Sequence, residues 1–379
     1  MPSCGRAEQS LLSAAREVAR QTAEQEIWDV SDVVAWVRAA GGPFVWPRAW
    51  TLQDTSLDSA ALESDLGAWL ERTPPLGERR CGTAVAQAVK AGESREVFAA
   101  VVVDVLADLD PLPTRVRLGQ WLRLRARLLA STQHAETVLL GPRGVPRSIP
   151  TELRPGEVRA VFNLDQPGMW RIQLLLGTDR GPRPAAEAWT FVDQEPNLSA
   201  ALRPAPGEEL LAPGMSVSDP QARLLAMLNA ARRSEQRLAV QRDPRLDELA
   251  QAHAEAMREA RQTAHDVGQG LPPDRLRRAG IHAALVGENV AHASSLGRAH
   301  RALWESPAHR ATLLDPGFSA VGIGVAVADE SPDAPVGSDV KGVATIPKDR
   351  AVRRGTAPET AVLGVRGVPA VWVCELFTN

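Results

Sequence analysis

Hydrophobic and polar positions change their spacing twice along the 379 residues, which divides the chain into three parts. In the first part, Leu11, Ala15 and Val18 recur at intervals of three or four residues, the period of a helix with one buried face. Residues 81–89 and 97–106 are apolar runs of strand length, joined by a turn at residues 90–93. The pattern predicts a small α+β module over residues 1–111.

The second part contains short strands with turn signals between them. Residues 121–128 alternate apolar side chains with arginine, which is typical of a strand with one buried face. Further strands are predicted, separated by Pro-Gly turns, at residues 137–140, 157–164, 170–176 and 188–192. We therefore expect an antiparallel β-sandwich over residues 112–193. The run Pro167-Gly168-Met169-Trp170 looks like a late strand of bacterial immunoglobulin-like domains.

The third part follows a Pro-, Gly- and Ala-rich stretch, residues 194–218, that we interpret as a linker. Asp219-Pro220 and Asp243-Pro244 each place an N-capping acid before a first-turn proline, so two helices are predicted to begin there. These signals predict a separate domain over residues 219–379.

Two apolar strands are predicted near the end of the chain, at residues 321–327 and 371–377. Gly322 and Gly324 lie on one face of the first strand, where the missing side chains would let a helix approach closely. Between the strands, residues 330–369 are rich in Pro, Gly and charged side chains and predict a long loop.

Net charge and the lengths of the apolar runs argue against two kinds of binding partner, nucleic acids and membranes. The net charge of −3 gives no electrostatic reason to expect a nucleic acid or an anionic membrane surface. No apolar run reaches 18 residues, so no transmembrane helix is expected, and no signal peptide is visible at the first residues.

The chain has three cysteines, which cannot all pair with one another. A disulfide between Cys4 and Cys81 would suit an oxidising compartment and would leave Cys374 buried in a strand. Cys4 is alternatively the acylated cysteine of a lipoprotein, or an ordinary cysteine near a start codon.

Several motifs in the third part occur in an order that resembles the CAP domain, the fold of cysteine-rich secretory proteins, insect venom antigens and plant pathogenesis-related proteins. The motifs are Ala264-His265-Asp266, Gly287-Glu288-Asn289, Trp304-Glu305-Ser306-Pro307-Ala308-His309 and Val321-Gly322-Ile323-Gly324. The resemblance implies an α-β-α sandwich with a cleft that holds two histidines and two acidic side chains.

Carried over by position, the cleft residues are His265, His309 and Glu288. The second acid departs from the family pattern, because Pro307 stands where fuller members have a glutamate. Glu305 is near that position and is included among the candidate cleft residues, although it would point elsewhere on its helix.

Two imidazoles and a carboxylate can form an open, three-ligand site for a divalent metal such as zinc. Ser306 is a natural N-cap with Pro307 after it, so His309 would lie in the first turn of a helix. The positive end of that helix would favour the neutral imidazole that binds metal. The alternative is structural: both histidines hydrogen-bond Glu288 and hold loops to the core. No nucleophile signature, P-loop or dinucleotide fingerprint accompanies these residues.

The other histidines of the third part are not expected to be ligands. His253 lies on the apolar face of a helix and is interpreted as a core histidine. His282, His292 and His300 have no supporting motif and are interpreted as surface residues.

The order of helices and strands in the first part parallels that in the third. An unrelated α+β module is the preferred interpretation, because the parallel rests only on element order, and a shortened, divergent copy of the CAP fold is the alternative. No histidine precedes His134, so such a copy could not carry the cleft site.

The resemblance implies a secreted or cell-envelope protein that binds rather than catalyses. The expected ligand is a lipid or other small apolar molecule, or a divalent metal. One alternative is a metal-dependent hydrolase with Glu288 as general base. Another is a structural surface protein with a vestigial cleft. Imidazoles turned into an open cleft would favour binding or hydrolysis, and imidazoles buried in the core would favour the structural role.

Overall fold

A computed structural model describes the chain over residues 4–26, 28, 30–71, 75–90, 93–178, 181–197, 204–211, 219–327 and 370–379. The arrangement is mixed α+β, as the sequence predicts, with four sheets among these residues. The predicted long loop at residues 330–369 lies outside the described residues.

The N-terminal part forms a four-stranded sheet in the order β1-β3-β4-β2. Its elements are β1 Arg6–Ala7, α1 Gln9–Ala23, α2 Val30–Ala39, β2 Arg48–Asp54, α3 Ser59–Glu71, β3 Glu78–Lys90 and β4 Glu93–Val105. The predicted pair of strands is the antiparallel β3–β4 hairpin. Helices α1 and α2 pack on one face of the sheet around Leu11 and Val101, and α3 packs on the other around Leu66 and Phe98.

The central part consists of two sheets that share one apolar core. Its strands are β5 Ala107–Leu109, β6 Arg115–Val116, β7 Trp121–Leu128, β8 Ala135–Leu140, β9 Arg147–Ile149, β10 Thr151–Arg154, β11 Glu157–Asn163, β12 Gly168–Thr178 and β13 Gly181–Val192. The strand orders are β10-β11-β7-β5 and β6-β13-β12-β8-β9. Strand β7 alternates buried Leu122 and Leu124 with exposed arginines, so its predicted half-burial is confirmed.

The C-terminal part is a sheet in the order β14-β16-β17-β15 between two layers of helices. Its elements are α4 Pro220–Ser234, β14 Gln241–Arg242, α5 Pro244–Ala260, α6 Pro272–Arg278, β15 Val286–Ala293, α7 Leu296–Glu305, α8 Pro307–Leu314, β16 Ala320–Val327 and β17 Val371–Thr378. Helices α4, α7 and α8 cover one face, and α5 and α6 cover the other.

The side chains of Asp219 and Asp243 cap α4 and α5, as the sequence predicts. A Cβ atom placed on Gly322 would lie 2.1 Å from the backbone of Leu246, and one on Gly324 would lie 2.1 Å from the backbone of Ala250. These glycines therefore let α5 lie directly on β16, which confirms the prediction made from the strand's small face.

Part of the predicted linker is ordered against the C-terminal domain. Residues 204–211 include a 3-10 helix, Glu208–Leu211, and Ala205 is buried in the core of that domain. The Glu208 carboxylate pairs with Arg301 of α7. This segment anchors the start of the domain. The sequence predicts a linker over all of residues 194–218, and these contacts show that residues 204–211 are packed instead.

The N-terminal and C-terminal sheets have the same topology. In each, a two-residue strand runs parallel to one strand of a central hairpin, and the remaining strand pairs antiparallel with the other. The chain connections match: β1-α1-α2-β2-α3-β3-β4 corresponds to β14-α5-α6-β15-α7-α8-β16-β17. Gly82 also has the backbone of α1 against it, as Gly322 has that of α5.

Strand register extends this correspondence to single residues. Gly82 pairs with Val101, as Gly322 pairs with Leu376. Across the same strands, Ala49 pairs with Val101 and Glu288 pairs with Leu376. Ala49 thus occupies in the N-terminal part the position that Glu288 has in the C-terminal part.

Cys4 and Cys81 form a disulfide that spans 77 residues of sequence, and Cys374 is a buried free thiol. The bond holds the start of the chain to β3, at the face covered by α3. Both features agree with the assignment expected in an oxidising compartment.

Replacement of both bonded cysteines, Cys4→Ser with Cys81→Ser, should lower the free energy of unfolding by about 2–4 kcal/mol, because the unfolded chain regains the freedom of a long loop. Denaturant unfolding of oxidised wild type and of the variant measures the difference. The control is Cys374→Ala under the same conditions with the disulfide kept. An oxidised wild type no more stable than its reduced form would contradict this prediction.

Candidate functional site

The structure brings the sequence-predicted cleft residues to one region of the C-terminal domain. His265 lies in the loop after α5, Glu288 is in β15, and His309 is in the first turn of α8. His265 Nδ1 is 2.9 Å from Glu288 Oε1. His265 and His309 line the same cavity, beside Val290.

The Glu288 carboxylate is buried, with a side-chain exposure of 1%, and both of its oxygens have partners. Oε1 accepts from His265, and Oε2 accepts from the buried guanidinium of Arg275 in α6. The Cys374 thiol also lies 3.4 Å from Oε2, where it can donate. Burial raises the pKa of that thiol well above its ordinary value.

Arg275 is a site residue that the sequence analysis missed. Its side chain is 5% exposed and also donates to the carbonyl oxygens of His265 and Gly270, at 2.8 and 3.2 Å. It therefore pairs with Glu288 and fixes the loop that carries His265. Exposed Arg277 stands in the same short helix, so composition alone does not single out Arg275.

His253 is a fully buried core histidine, as predicted. Arg275 Nη1 lies 3.0 Å from its Nδ1, and a guanidinium can only donate, so Nδ1 is the acceptor. The proton is therefore on Nε2, which donates to the Ala264 carbonyl at 3.0 Å. Burial, above all, lowers the pKa of His253 and keeps the ring neutral.

His309 is buried at the start of α8, with 9% of its surface exposed. Burial lowers the pKa of His309 to about 3, and the neighbouring His265 contributes in the same direction. The ring is therefore neutral at pH 7, as predicted, although desolvation rather than the helix terminus is the main cause.

Residues of the other two parts of the chain cover these histidines. The indole of Trp46, between α2 and β2, meets the His309 ring edge-on with centroids 6.1 Å apart. Gly181, at the start of β13, faces His265: a Cβ there would lie 3.3 Å from the Cβ of His265. The remaining cavity has a volume of about 30 Å³, enough for about one or two water molecules.

The backbone at both covering residues adopts the left-handed region. Gly181 has φ +100°, and Trp46 has φ +57°, which is unfavourable for a bulky side chain. Surrounding structure must hold such a residue in place, and residues of this kind concentrate at functional sites.

Glu305 is not part of the cleft cluster. Its carboxylate faces Arg171 of β12 at 3.6 Å, and its carbonyl accepts from the same guanidinium at 2.8 Å. Burial, chiefly, raises the pKa of Glu305. Glu305 was included among the candidate cleft residues, but its position beside Arg171 does not support that inclusion, because its helix turns the carboxylate away from the two histidines.

Ser306 occupies the N-cap position of α8, but its hydroxyl makes no capping hydrogen bond. The amide of Ala308 donates instead to Gln173 Oε1 of β12, at 3.1 Å. Gln173 in turn donates to Glu187, whose neighbour across the interface is Arg38 of α2 at 3.7 Å. All three parts of the chain therefore meet beside His309.

These donors do not fit the predicted three-ligand zinc site. Glu288 already has the positive charge of Arg275 at its carboxylate, and a second cation there would face like-charge repulsion. Within the described ranges, no three His, Cys, Asp or Glu side chains are placed to hold a metal together. The histidine pair alone remains as a candidate metal-binding feature, and zinc binding stays a prediction.

Two of the histidines interpreted as surface residues are placed differently. His300 is fully buried in α7, where its Nε2 donates to the Pro206 carbonyl at 3.0 Å, so that interpretation was wrong. Pro206 belongs to the ordered segment at residues 204–211, and the sequence motifs did not predict that this segment packs on α7. His292 is half-buried and stacks on Trp372 with centroids 4.3 Å apart, whereas His282 is exposed.

A larger groove of about 580 Å³ lies at the edge strand β14. Gln241, Arg242 and Ser319 line it, and none of the cleft residues does. Arg242 is paired with Asp219 and Asp247, so its charge is already balanced. We assign no chemistry to this groove.

Comparison with known proteins identifies the C-terminal domain. Residues 225–335 match the model of the cysteine-rich secretory protein family, the CAP family. The C-terminal domain is a CAP domain. A comparison with curated proteins gives no match.

Solved structures similar to this chain, or to part of it, have low overall similarity. An outer surface protein of Borrelia burgdorferi is 16% identical, with a TM-score of 0.30, and the match covers 43% of this chain and 95% of that one. An extracellular Bacillus anthracis protein containing an SCP domain is 17% identical, with a TM-score of 0.29 and coverage of 85% and 92%. A Staphylococcus aureus cysteine-rich secretory protein is 9% identical, with a TM-score of 0.26 and coverage of 68% and 77%. The family model, rather than these similarities, identifies the CAP domain.

A second buried acid lies on the strand next to Glu288. Glu375 of β17 is fully buried, and Asn289 Nδ2 is 3.5 Å from its Oε2. Among the described residues, Glu375 Oε1 and Asn289 Oδ1 have no hydrogen-bond partner. Burial raises the pKa of Glu375 to about 7, and protonation turns one of these oxygens into a donor.

A folded-state pKa above the ordinary 4.5 means that this group's stability contribution is complete below about pH 4.5 and is lost as the pH rises through 7. Glu375→Gln removes the ionisation. The free energy of unfolding of the variant minus that of wild type should therefore be about 3 kcal/mol larger at pH 8 than at pH 5. Urea unfolding at several pH values measures this difference, with Glu259→Gln on exposed helix surface as control. A constant difference across that range would contradict the prediction.

Proposed function

We propose that this protein is an extracytoplasmic binding protein whose CAP cleft is closed by its own N-terminal and central domains. The carrying observation is the position of Trp46 over His309 and of Gly181 over His265. In this arrangement the His265 side chain is 19% exposed and His309 is 9% exposed, so a ligand larger than water fits between the two rings only after the covering residues move. The Cys4–Cys81 disulfide supports the location outside the cytoplasm. Among the described residues no helix is long and apolar enough to span a membrane.

The N-terminal and C-terminal sheets have the same strand topology, which supports a proposal about the N-terminal module. We infer that the N-terminal module is a second, shortened CAP fold, and that the chain pairs one CAP fold with another through the central domain. Ala49 at the position of Glu288 removes the central acid of the cluster from this copy. The central domain is proposed to be immunoglobulin-like on the basis of its two antiparallel sheets around one core.

Binding suits this cleft better than hydrolysis. A general base needs a free acceptor within reach of a water, and both oxygens of Glu288 are occupied by Arg275 and His265. A lipid or other small apolar ligand needs a cavity of several hundred Å³, so it would require the domains to separate. Lipid attachment through Cys4 is incompatible with a disulfide at the same sulfur.

A second candidate function is binding of a divalent metal by the histidine pair. It is favoured by the neutral ring of His309 and by the shared cavity of His265 and His309. Two imidazoles leave most of the coordination sphere open, so the affinity should be modest. Because zinc would bind only where both rings are accessible, zinc titration reports whether the cleft is open.

Trp46→Gly removes the indole over His309 and relieves the left-handed backbone at that position. We expect calorimetric titration to give saturable zinc binding in Trp46→Gly that is at least about tenfold tighter than in wild type, because the rings become accessible. The added His309→Ala change should abolish the gain.

Trp121→Gly, which removes an exposed indole elsewhere, is the control and should behave as wild type. Equal zinc affinity in wild type and Trp46→Gly would contradict a closed cleft. If neither protein binds zinc, the metal candidate is dropped.

A further inference from the structure

The outer face of the central domain carries a surface feature that the cleft does not explain. Strand β7 places Trp121, Arg123, Arg125 and Arg127 on its exposed side, about 6.8 Å apart along the strand. Trp121 is 66% exposed, whereas the other nine tryptophans are buried or half-buried. An exposed indole at the end of an arginine row is costly to leave in water and points to contact with a ligand.

The charges on this face are unbalanced. Arg125 and Arg159 are directly opposite each other on β7 and β11, a like-charge pair that destabilises a sheet, and both rely on Glu157. Asp108 is likewise shared by Arg127 and Arg80. On this face Glu157 and Asp108 are thus shared by Arg125, Arg127 and Arg159, whereas buried Arg80 also pairs with Glu78.

Arg123 adds a further positive charge, because no acidic partner for it is found among the described residues. Its neighbour across the strands is Val161, which is 56% exposed. Arg123 thus lies between an exposed indole and an exposed aliphatic side chain, with its guanidinium available to an external anion.

The acids that pair with the β7 arginines lie below them. Side-chain exposure is 62% for Arg125 and 63% for Arg127, but 17% for Glu157 and 27% for Asp108. Glu152, opposite Arg159 on β10, is also exposed (55%) but is paired with Arg154, so the β7 end of the face presents its guanidinium groups first. The net charge of the whole chain, −3, hides this local excess of positive charge.

We propose that this surface, formed by Trp121, Arg123, Arg125, Arg159 and Val161, binds an acidic polysaccharide. Carboxylates spaced along a uronate chain match a row of arginines, which bind carboxylate in bidentate geometry. A sugar ring presents an apolar face of C–H groups to the indole, and its hydroxyls can reach the Gln120 amide, whose oxygen already accepts from Arg117. The site is independent of the CAP cleft and uses only the extracytoplasmic location from the proposed function.

A polysaccharide fits these residues better than other polyanions. The surface presents a single exposed indole, whereas single-stranded nucleic acid is bound by successive aromatic side chains. The surface lies on a strand face, and its exposed side chains on β7 after Trp121 are arginines, whereas membrane-surface helices insert a continuous apolar face.

The test is calorimetric titration of the full chain with sodium polygalacturonate oligomers at two salt concentrations. Wild type should show saturable binding that weakens at the higher salt, because the paired charges are exposed and screened. Trp121→Ala and Arg123→Gln should each weaken binding about tenfold, while Arg123→Lys should retain part of it.

Arg277→Gln, which changes another exposed arginine on α6, far from this surface in sequence, is the control and should bind as wild type. Thermal melts check that each variant folds. No saturable binding by wild type, or equal binding by Trp121→Ala and Arg123→Gln, would overturn the proposal. So would equal affinity for neutral dextran, or tighter binding of single-stranded DNA or of anionic phosphatidylglycerol vesicles through the same residues.

Discussion

The buried carboxylate of Glu288 imposes the constraint on which the CAP cleft depends. A charge that is removed from water needs a partner within hydrogen-bond distance, and Arg275 supplies it. The same guanidinium holds the carbonyl of His265 and the ring nitrogen of His253, so one buried ion pair positions both histidines. With its charge balanced by a side chain, the cluster does not require a metal ion to be stable, and it can lie under other domains.

Closure of the cleft follows from how the three parts meet. Gln173 of the central domain satisfies the amide at the start of α8, a role that the hydroxyl of Ser306 does not take. Arg171 pairs with Glu305, and Trp46 lies against His309. Polar groups of the CAP domain that would otherwise face solvent are thus bonded to the neighbouring domains. The N-terminal sheet that covers the cleft has the same strand topology as the sheet of the CAP domain.

Much of the fold was predictable because its signals are local. Capping acids at Asp219 and Asp243 and the glycines of β16 locate helices and a close helix–strand contact, and the motif order locates His265, Glu288 and His309. The role of Arg275 was not predictable, because it stands in a helix beside exposed arginines and only the tertiary fold buries it. Trp46 and the burial of His300 were also missed, since both depend on contacts with segments distant in sequence. Whether His309 faces water is decided by those distant contacts.

The most direct test of the closed cleft is the reactivity of His309 toward diethyl pyrocarbonate, which modifies accessible neutral imidazoles. His309 is neutral at pH 7, so its protection would report burial rather than protonation. Peptide mapping by mass spectrometry after brief exposure should find exposed His282 modified and His309 unmodified in the native full-length chain, with both modified after denaturation. Modification of His309 as fast as that of His282 in the native protein would contradict the account.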